Sequence, residues 1–309
     1  MNRIHRSYIE HIVTWHCNLK CTNCNTGSPF QPHRNDDLSI FVRDLNMIGK
    51  YVDTPYIRLA GGEPTLHPEI LDYLREIKKA GYKSNIATNG LTLTQMSDEF
   101  FDLVDLFSLS VYANNNINYE KIINKLEEKG ANWRNVTDVD DVLKFESMQK
   151  FKDNYKWHET GTFVVLDKYS KNTEERVQEV YTPCLLKDMC HSFMNGKYYK
   201  CNISVTKGPQ YDNMGIPTDW DFAEEDGFDF TGDNEEEIMV NLRDFVYGEA
   251  HKNPLKACYY CEGSNTSYNV PHGQYSKETI NEIIGYTRDH KKLDDINNTF
   301  PVRITIKNI

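Results

Sequence analysis

The 309-residue chain lacks several features that define common classes of protein. No apolar run reaches the ~18 residues that a membrane span requires, so no membrane segment is expected. The first residues, Met1–Tyr8, are polar and do not resemble the apolar core of a secretory signal, which favours a cytoplasmic protein. Because the 46 acidic residues outnumber the 35 basic residues, a surface for binding nucleic acid or an anionic membrane is not expected either.

Ordinary catalytic signatures are missing as well. The ten histidines include no H-x-x-x-H pair. The sequence also has no G-x-S-x-G nucleophile turn and no glycine-rich phosphate loop. These absences disfavour the simplest metal-dependent hydrolases, serine hydrolases and P-loop enzymes, so any chemistry must come from another kind of group.

Cysteine is the residue type with a distinctive arrangement, because its eight copies fall into two groups with none between residues 25 and 183. In a reducing compartment, spaced cysteines more often bind metal or carry out redox chemistry than form disulfides. We therefore expect two metal centres, one in each half of the chain. The first group is Cys17, Cys21 and Cys24, and the second is Cys184, Cys190, Cys201, Cys258 and Cys261.

Strand-like and helix-like segments alternate through the first half. The predicted strands are Ile9–Trp15, Tyr56–Ala60, Lys83–Thr88, Leu106–Tyr112 and Asn132–Val139, with a sixth candidate at Thr160–Leu166. Helical spacing of apolar residues predicts helices within Ile40–Val52, after Pro68 and over Tyr119–Lys129. This alternation predicts an α/β fold with a parallel sheet covered by helices. In such folds the chemistry collects at the carboxyl ends of the strands.

The first cysteine group, here called the cysteine triad, has the spacing C-x3-C-x2-C in a loop after the first predicted strand. Three thiolates can hold three irons of a cubic iron–sulfur cluster, which normally takes four thiolates. The fourth iron then has an open position, and an open position on a metal invites an outside ligand. The alternatives are a zinc site completed by His16 or His33, or three unrelated thiols.

A second motif, Gly61-Gly62-Glu63-Pro64 (the GGEP motif), follows the second predicted strand. The triad spacing and this motif together resemble the radical SAM superfamily, over roughly residues 8–166. The resemblance implies a partial (β/α)6 TIM-like barrel as a radical SAM core over residues 1–170, followed by a small cysteine-rich α+β domain over residues 171–309. It also implies a SAM-binding [4Fe-4S] cluster and S-adenosyl-L-methionine (SAM) as cofactors.

The resemblance further implies a reaction. The methionine part of SAM would chelate the open iron of the cluster, and Gly61 and Gly62 would let the backbone approach its amino group. Glu63 would accept a hydrogen bond from that amino group, and Pro64 completes the motif. An electron from the cluster would then break the sulfur–ribose bond, giving methionine and a 5′-deoxyadenosyl radical that removes a hydrogen atom from the substrate.

Other cofactor contacts are implied at the ends of later strands. Asn89 and Ser110 stand where members of the superfamily place polar groups near the ribose or carboxylate of SAM. Asn89-Gly90 can equally be a simple turn. The sequence departs from the superfamily at Asn23, where an aromatic or apolar residue usually helps to hold the adenine, so adenine packing is left to other residues.

In the second cysteine group, Cys184, Cys201 and the CxxC of Cys258 and Cys261 resemble the ligands of a twitch domain, the short form of the SPASM extension. A hairpin over residues 194–201 with its turn at Gly196 would deliver Cys201. Four thiolates can ligate an auxiliary iron–sulfur cluster of the [4Fe-4S] type. A zinc ribbon is the main alternative, and a thioredoxin-type CxxC is another.

Cys190 has three possible roles. It is six positions after Cys184, an offset at which some SPASM enzymes carry a further cluster ligand, so it could replace one CxxC cysteine. It could also be catalytic, as the hydrogen-atom donor to a substrate radical in an epimerase. The third possibility is an inert buried thiol.

The resulting hypothesis is a radical SAM enzyme that oxidises or epimerises a small polar substrate such as an aminosugar or aminocyclitol. Its electron donor would be a ferredoxin or flavodoxin. Residues 219–237 contain ten acidic residues and no Lys or Arg, which indicates either a solvated loop or an acidic lip for a cationic substrate. The alternatives are a maturase acting on a ribosomally made precursor peptide and, outside enzymes, a zinc-stabilised binding module.

Overall fold

A computed structural model describes residues 2–22, 24–112, 117–136, 162–164, 171–264, 269–271 and 273–289. The described residues form an α/β fold, as predicted. The strands are β1 (Ile4–His5), β2 (Ile9–Thr14), β3 (Val52–Asp53), β4 (Tyr56–Gly61), β5 (Lys83–Thr88), β6 (Leu106–Leu109), β7 (Trp133–Asn135), β8 (Thr162–Val164), β9 (Ser192–Met194), β10 (Lys197–Tyr199), β11 (Phe228–Asp229) and β12 (Asn269–Pro271). The α-helices are α1 (Leu38–Tyr51), α2 (Ile70–Lys79), α3 (Asp98–Leu103), α4 (Tyr119–Glu128), α5 (Glu174–Tyr181), α6 (Leu186–Met189), α7 (Ile203–Met214), α8 (Phe222–Glu225), α9 (Glu235–Tyr247) and α10 (Lys277–Asp289).

The main sheet has eight strands in the order β11-β10-β9-β2-β4-β5-β6-β7. The run from β9 to β7 is parallel, and β10 and β11 add antiparallel strands at one edge. Within the described residues the two edge strands, β11 and β7, do not pair, so the sheet is an open one. This arrangement agrees with the predicted partial barrel.

The sixth predicted strand does not join this sheet. It is present as β8, which pairs with β12 in a separate antiparallel ribbon. The sixth parallel strand is instead β9, which comes from the cysteine-rich half and lies beside β2. Residues 137–139 of the predicted strand 132–139, and residues 160–161 and 165–166 of the predicted strand 160–166, lie outside the described ranges.

One face of the sheet, its outer face, packs against helices. On β2 the alternate residues Ile9 and Val13 are buried in the same cluster as Phe41 and Ile48 of α1 and Ile77 of α2. These helical residues recur at the spacing that places them on one helix face. Burying each such side chain contributes about 1.5–3 kcal/mol relative to exposure, so this layer stabilises the scaffold that carries the strand ends.

The opposite, inner face of the sheet is partly covered by the cysteine-rich half. Ile12 and Ala60 pack with Val205 of α7. The side-chain amide of Asn202, just before α7, donates to the buried Glu10 carboxylate at 2.8 Å. Because β9, β10 and β11 also extend the first half's sheet, the boundary at residue 170 stays a prediction.

The predicted hairpin is present as β9 and β10. Its two turn residues, Asn195 and Gly196, have φ values of 51° and 81°. Positive φ at both central positions is typical of a type I′ turn, whose twist matches that of paired strands. Of the helices in the described ranges, none is long and apolar enough to cross a membrane.

Candidate active site and a second cysteine site

The carboxyl ends of β2, β4 and β5 bring the predicted motifs of the first half together. The cysteine triad follows β2, the GGEP motif follows β4, and Asn89 follows β5. These three strands are adjacent and parallel, so their ends lie at the same edge of the sheet. Sequence reasoning placed the motifs at one rim, and the structure has them there.

The Glu63 carboxylate is the polar centre of this rim. Glu63 is 1% exposed and accepts four hydrogen bonds from the chain itself. One oxygen accepts from the Thr65 hydroxyl (2.6 Å), the Thr65 N–H (3.3 Å) and the Thr88 hydroxyl (2.7 Å), and the other accepts from the Asn89 N–H (2.8 Å). Burial raises the pKa of Glu63, and these donors oppose that rise. The carboxylate therefore joins the ends of β4 and β5.

Both glycines of the motif are required by close backbone approach. A Cβ at Gly61 would lie 2.2 Å from the carbonyl oxygen of Thr14, and one at Gly62 would lie 1.9 Å from that of His16. The Gly62 N–H donates to the Thr14 carbonyl at 2.7 Å, and the Glu63 N–H donates to the His16 carbonyl at 2.6 Å. The glycines thus let the GGEP motif pack directly on the base of the cysteine loop.

Asn89 connects the end of β5 to the triad. Its side-chain amide donates to Asn18 Oδ1 at 2.8 Å and lies 3.8 Å from the Cys17 sulfur. Its backbone N–H is one of the Glu63 donors. Asn89 therefore contacts the cysteine loop and also forms a turn, because its Oδ1 accepts from the Leu91 N–H, and its predicted contact with SAM stays a prediction.

The triad thiols lie close enough to perturb one another. Burial is the main cause that raises the pKa of Cys17 to about 12, and the neighbouring Cys24 adds to the rise. Burial and the other two thiols likewise raise the pKa of Cys21. The Tyr112 hydroxyl, which is hydrogen-bonded to Ser110, has its pKa raised by burial and then by all three thiols. Ser110 is therefore beside Tyr112, and its predicted contact with SAM stays a prediction.

Thr26 is a residue of this site that the sequence analysis missed. Its hydroxyl donates to the Gly61 carbonyl at 3.0 Å and lies 3.3 Å from the Cys24 sulfur. It thereby ties the end of the cysteine loop to the GGEP motif. A threonine two residues after a cysteine carries no signal in a single sequence.

A distant segment also holds the cysteine loop. Cys21 forms an antiparallel bridge with Gln274. The Thr22 N–H donates to the Gly273 carbonyl at 2.9 Å, and the Tyr275 N–H donates to the Lys20 carbonyl at 2.8 Å. Residues 273–275 thus act as a short strand against the loop, although more than 250 positions separate the two in sequence.

Four of the five cysteines in the second half line one cavity. Cys184, Cys201, Cys258 and Cys261 are all on its wall, and its empty volume is about 400 Å³ including open space at the mouth. We call it the four-thiol cavity. Burial is the main cause that raises the pKa of Cys201 and of Cys258, and neighbouring thiols add to both rises. The predicted auxiliary ligand set is therefore gathered around one space.

Backbone and side-chain donors surround these sulfurs. The Gly263 N–H donates to the Cys261 sulfur at 3.3 Å, and the Ser264 hydroxyl lies 3.4 Å from the Cys184 sulfur. The buried amide of Asn172 donates to the carbonyls of Cys258 (3.2 Å) and Cys261 (2.9 Å), which fixes both ends of the CxxC. Hydrogen bonds to the sulfurs of iron–sulfur clusters tune their potentials, so such donors suit a cluster site.

Cys190 packs in the same buried cluster as Cys201 and Cys261 and adds to the raised pKa of Cys201, so it is close to this site. It is buried and is absent from the wall of the four-thiol cavity. Burial is the main cause that raises its pKa, followed by the Glu10 carboxylate, with Arg58 and Tyr8 opposing the rise. Glu10 is near the amino end of β2, whereas the triad follows its carboxyl end, and a six-residue strand spans roughly 20 Å. This position does not support Cys190 as a hydrogen-atom donor at the rim.

The acidic residues 219–237 have several structural roles. Asp221 accepts hydrogen bonds from the first N–H groups of α8, Asp219 pairs with Lys171 at 2.5 Å, and Glu224 pairs with Lys197 at 2.7 Å. Asp226 is buried. The stretch is therefore neither a plain solvated loop nor an uninterrupted acidic lip.

A buried glutamine links the two cysteine sites. The Gln31 side-chain amide donates to the Thr26 carbonyl at 2.8 Å and to the Thr206 carbonyl of α7 at 2.6 Å. Thr26 contacts Cys24, and α7 starts two residues after Cys201. The two sites are thus held in one packed structure.

The donors at both cysteine sites are thiols, which fit the ligand sets of iron–sulfur clusters. Among the residues that the structure describes, no three His, Cys, Asp or Glu side chains converge closely enough to hold one ion. A cubic cluster binds each thiolate at a different corner and accepts a wider spacing. His16 and His33 stack on each other with ring centroids 3.9 Å apart, and a zinc site that includes one of them stays an alternative.

A comparison with known protein families finds a match in the first half. The Radical SAM superfamily model matches residues 12–154, the segment that holds the triad, the GGEP motif and Asn89. Residues 12–154 are therefore similar to a radical SAM domain, which confirms the predicted resemblance over this segment. The superfamily uses a [4Fe-4S] cluster and SAM.

Curated relatives match over limited segments. The chain is 39% identical over 114 residues to a tungsten-containing aldehyde ferredoxin oxidoreductase cofactor-modifying protein of Pyrococcus furiosus, covering 34% of this chain and 30% of that protein. It is 32% identical to an AdoMet-dependent heme synthase of Methanosarcina barkeri, covering 27% of this chain and 25% of that protein. It is 26% identical to a GTP 3′,8-cyclase of Lactiplantibacillus plantarum, covering 50% of this chain and 46% of that protein. The matched part thus spans less than half of each relative.

Solved structures show a weaker likeness. Streptococcus suis SuiB bound to S-adenosylmethionine aligns with a TM-score of 0.40 and 14% identity, covering 84% of this chain and 70% of that chain. The anSMEcpe structure with bound AdoMet and Cp18Cys peptide aligns with a TM-score of 0.41 and 14% identity, covering 96% of this chain and 99% of that chain. Similarity at this level supports no conclusion about activity.

Proposed function

We propose that this chain is a radical SAM enzyme with an auxiliary iron–sulfur centre, and that it dehydrogenates a small polar substrate. The observation that carries the proposal is the pairing of a radical SAM domain with a separate cavity lined by four thiols. The second site would accept the electron left on the substrate after hydrogen abstraction. Oxidation needs such an acceptor, whereas a redox-neutral epimerisation does not.

At the first site the triad would hold the SAM-binding [4Fe-4S] cluster. When bound, the cluster and SAM supply a 5′-deoxyadenosyl radical. The chain's own part is to position them. Glu63, through its bonds to Thr88 and Asn89, fixes the rim on which they sit, and Asn89 donates toward Cys17. The buried side chains of Glu63, Thr88 and Asn89 would keep water from the base of the rim.

Two observations support dehydrogenation of a small molecule over the alternatives. Cys190 is near Glu10 at the amino end of β2, whereas the triad follows its carboxyl end, which argues against Cys190 as an epimerase donor. The relatives that match the radical SAM domain include proteins named for GTP and heme chemistry. An aminosugar or aminocyclitol remains our proposal for the substrate, and a ferredoxin or flavodoxin for the electron donor.

The test is a pair of turnover assays with reconstituted, reduced enzyme. We expect Cys17→Ala, Cys21→Ala or Cys24→Ala each to abolish formation of 5′-deoxyadenosine from SAM. Cys258→Ala should retain that cleavage but lose substrate oxidation, assayed against a panel of aminosugars and aminocyclitols. Intact SAM cleavage in a triad variant would contradict the radical mechanism, and turnover of short peptides alone would replace the substrate proposal with peptide maturation.

A further inference from the structure

Asp226 is the one residue of the acidic stretch 219–237 whose carboxylate is enclosed by donors on two segments of the cysteine-rich half. It is 3% exposed. It accepts hydrogen bonds from the Ser204 hydroxyl at 2.7 Å and from the backbone N–H groups of Lys256 at 2.5 Å and Ala257 at 3.0 Å. All three partners donate. Burial raises the pKa of Asp226, and these three donors oppose that rise, so the cage favours the ionised carboxylate.

The cage stands directly behind the four-thiol cavity. Ser204 and Ala257 both line that cavity. Ala257 immediately precedes Cys258, and Ser204 is in the first turn of α7, three residues after Cys201. Asp226 therefore joins the two chain segments that carry these cysteines.

We propose that Asp226 is a positioning residue of the second cysteine site, which fixes the segment before the CxxC and keeps a negative charge beside the bound cluster. The inference rests on the auxiliary cluster in the proposed function. Buried charges interact strongly because the local dielectric is low, and net charge is one of the factors that set cluster potentials. A carboxylate at this position disfavours the added electron, so it lowers the reduction potential of the auxiliary cluster and leaves that of the triad cluster unaffected.

The experiment is a redox titration of the reconstituted full chain, followed by electron paramagnetic resonance, with iron counted in parallel. Asp226→Asn removes the charge and nearly preserves the shape. Ser204→Ala removes one hydrogen bond to the same carboxylate and preserves the charge. Asp233→Asn removes an exposed charge from the same acidic stretch and is the matched control.

We expect D226N to make reduction of the auxiliary cluster roughly tenfold more favourable, or about +59 mV for a one-electron couple. S204A and D233N should shift it much less, and no variant should shift the triad cluster. Selective loss of the auxiliary iron in D226N, with the triad iron and SAM cleavage retained, would also support the assignment. An unchanged potential in D226N, or an equal shift in S204A, would overturn it.

Two further outcomes separate this inference from the proposed function. If wild type contains a single cluster, the proposal of an auxiliary cluster is wrong, and the inference about Asp226 is wrong with it. If wild type contains two clusters and D226N does not differ, only the inference fails. If D226N loses both clusters, Asp226→Glu decides, because it keeps the charge: a wild-type potential supports the assignment and a raised one overturns it.

Discussion

Replacing Thr88 by valine tests whether the Glu63 carboxylate holds the rim together. Thr88 is 3% exposed, and its hydroxyl has two partners: it donates to Glu63 at 2.7 Å and accepts from the Gly90 N–H at 2.9 Å. Valine has nearly the same shape and no hydrogen-bonding group. The substitution therefore removes one donor from a buried carboxylate and leaves the Gly90 N–H without that acceptor.

The magnitude follows from these two losses. A hydrogen bond to a charged group contributes about 1.5–3 kcal/mol, and a buried unsatisfied N–H costs about 1–3 kcal/mol. Because the losses share one hydroxyl and do not simply add, we expect T88V to lower the free energy of unfolding by about 3 kcal/mol at pH 7. Thr182→Val, at an exposed hydroxyl that accepts from Gln178, should change it by less than about 0.5 kcal/mol.

The effect of T88V should depend on pH. Burial raises the pKa of Glu63 above its ordinary value of 4.5, so the folded state holds its proton at pH values where the unfolded state has lost it. The stability from this group is therefore complete below the ordinary pKa and is lost as pH rises through the folded pKa. T88V removes a donor that opposes this rise, so the pKa of Glu63 in the folded state is higher in T88V than in wild type. The variant therefore loses more stability than wild type as the pH rises.

The assay is urea unfolding of the cluster-free chain at pH 7 and near pH 4.5, with the midpoint followed by circular dichroism. The difference between T88V and wild type should be largest at pH 7. Near pH 4.5 about half of this difference should remain. Glu63 is then largely protonated and depends less on the Thr88 hydroxyl, but the Gly90 N–H still lacks its acceptor. A difference at pH 7 below about 0.5 kcal/mol, or one of equal size at both pH values, would refute the role assigned to Glu63.

Three further substitutions test other parts of the account. Gly62→Ala places a Cβ 1.9 Å from the His16 carbonyl oxygen, so iron analysis should show loss of the triad cluster alone, whereas Gly285→Ala, where a Cβ meets nothing within 4 Å, should retain both clusters. Asn172→Ala removes the donor shared by the two CxxC carbonyls, so it should lower auxiliary iron selectively, and unchanged iron would contradict that role. Cys190→Ala should leave iron content and product unchanged. Lower iron would make it a ligand, and a change from epimer to oxidised product would make it a hydrogen donor.

The sequence predicted most of what is local in the first half. The limits of β5 were predicted to the residue, and those of β2 and β4 to within one. The triad and the GGEP motif were found because each is a short contiguous pattern. The roles of Gly61 and Gly62 needed coordinates, since the backbone they approach belongs to another strand end.

What sequence reasoning missed depends on contacts between distant residues. Asp226 appeared only as one of ten acidic residues, and nothing in its neighbours marks it as buried. Gln31 and residues 273–275 contact partners more than 170 positions away. The sixth strand was misassigned to the main sheet because strand propensity does not specify a partner, and β9 takes that place beside β2.

The measurement that tests the central claim most directly is iron and sulfide per chain after anaerobic reconstitution. Three chains are compared: wild type, a variant with the triad changed to alanine, and a variant with the four cavity cysteines changed to alanine. Two cubic clusters predict about eight irons in wild type and about four in each variant. About four irons in wild type, nearly none in the triad variant and no loss in the cavity variant would contradict an auxiliary iron–sulfur centre and remove the proposed electron acceptor.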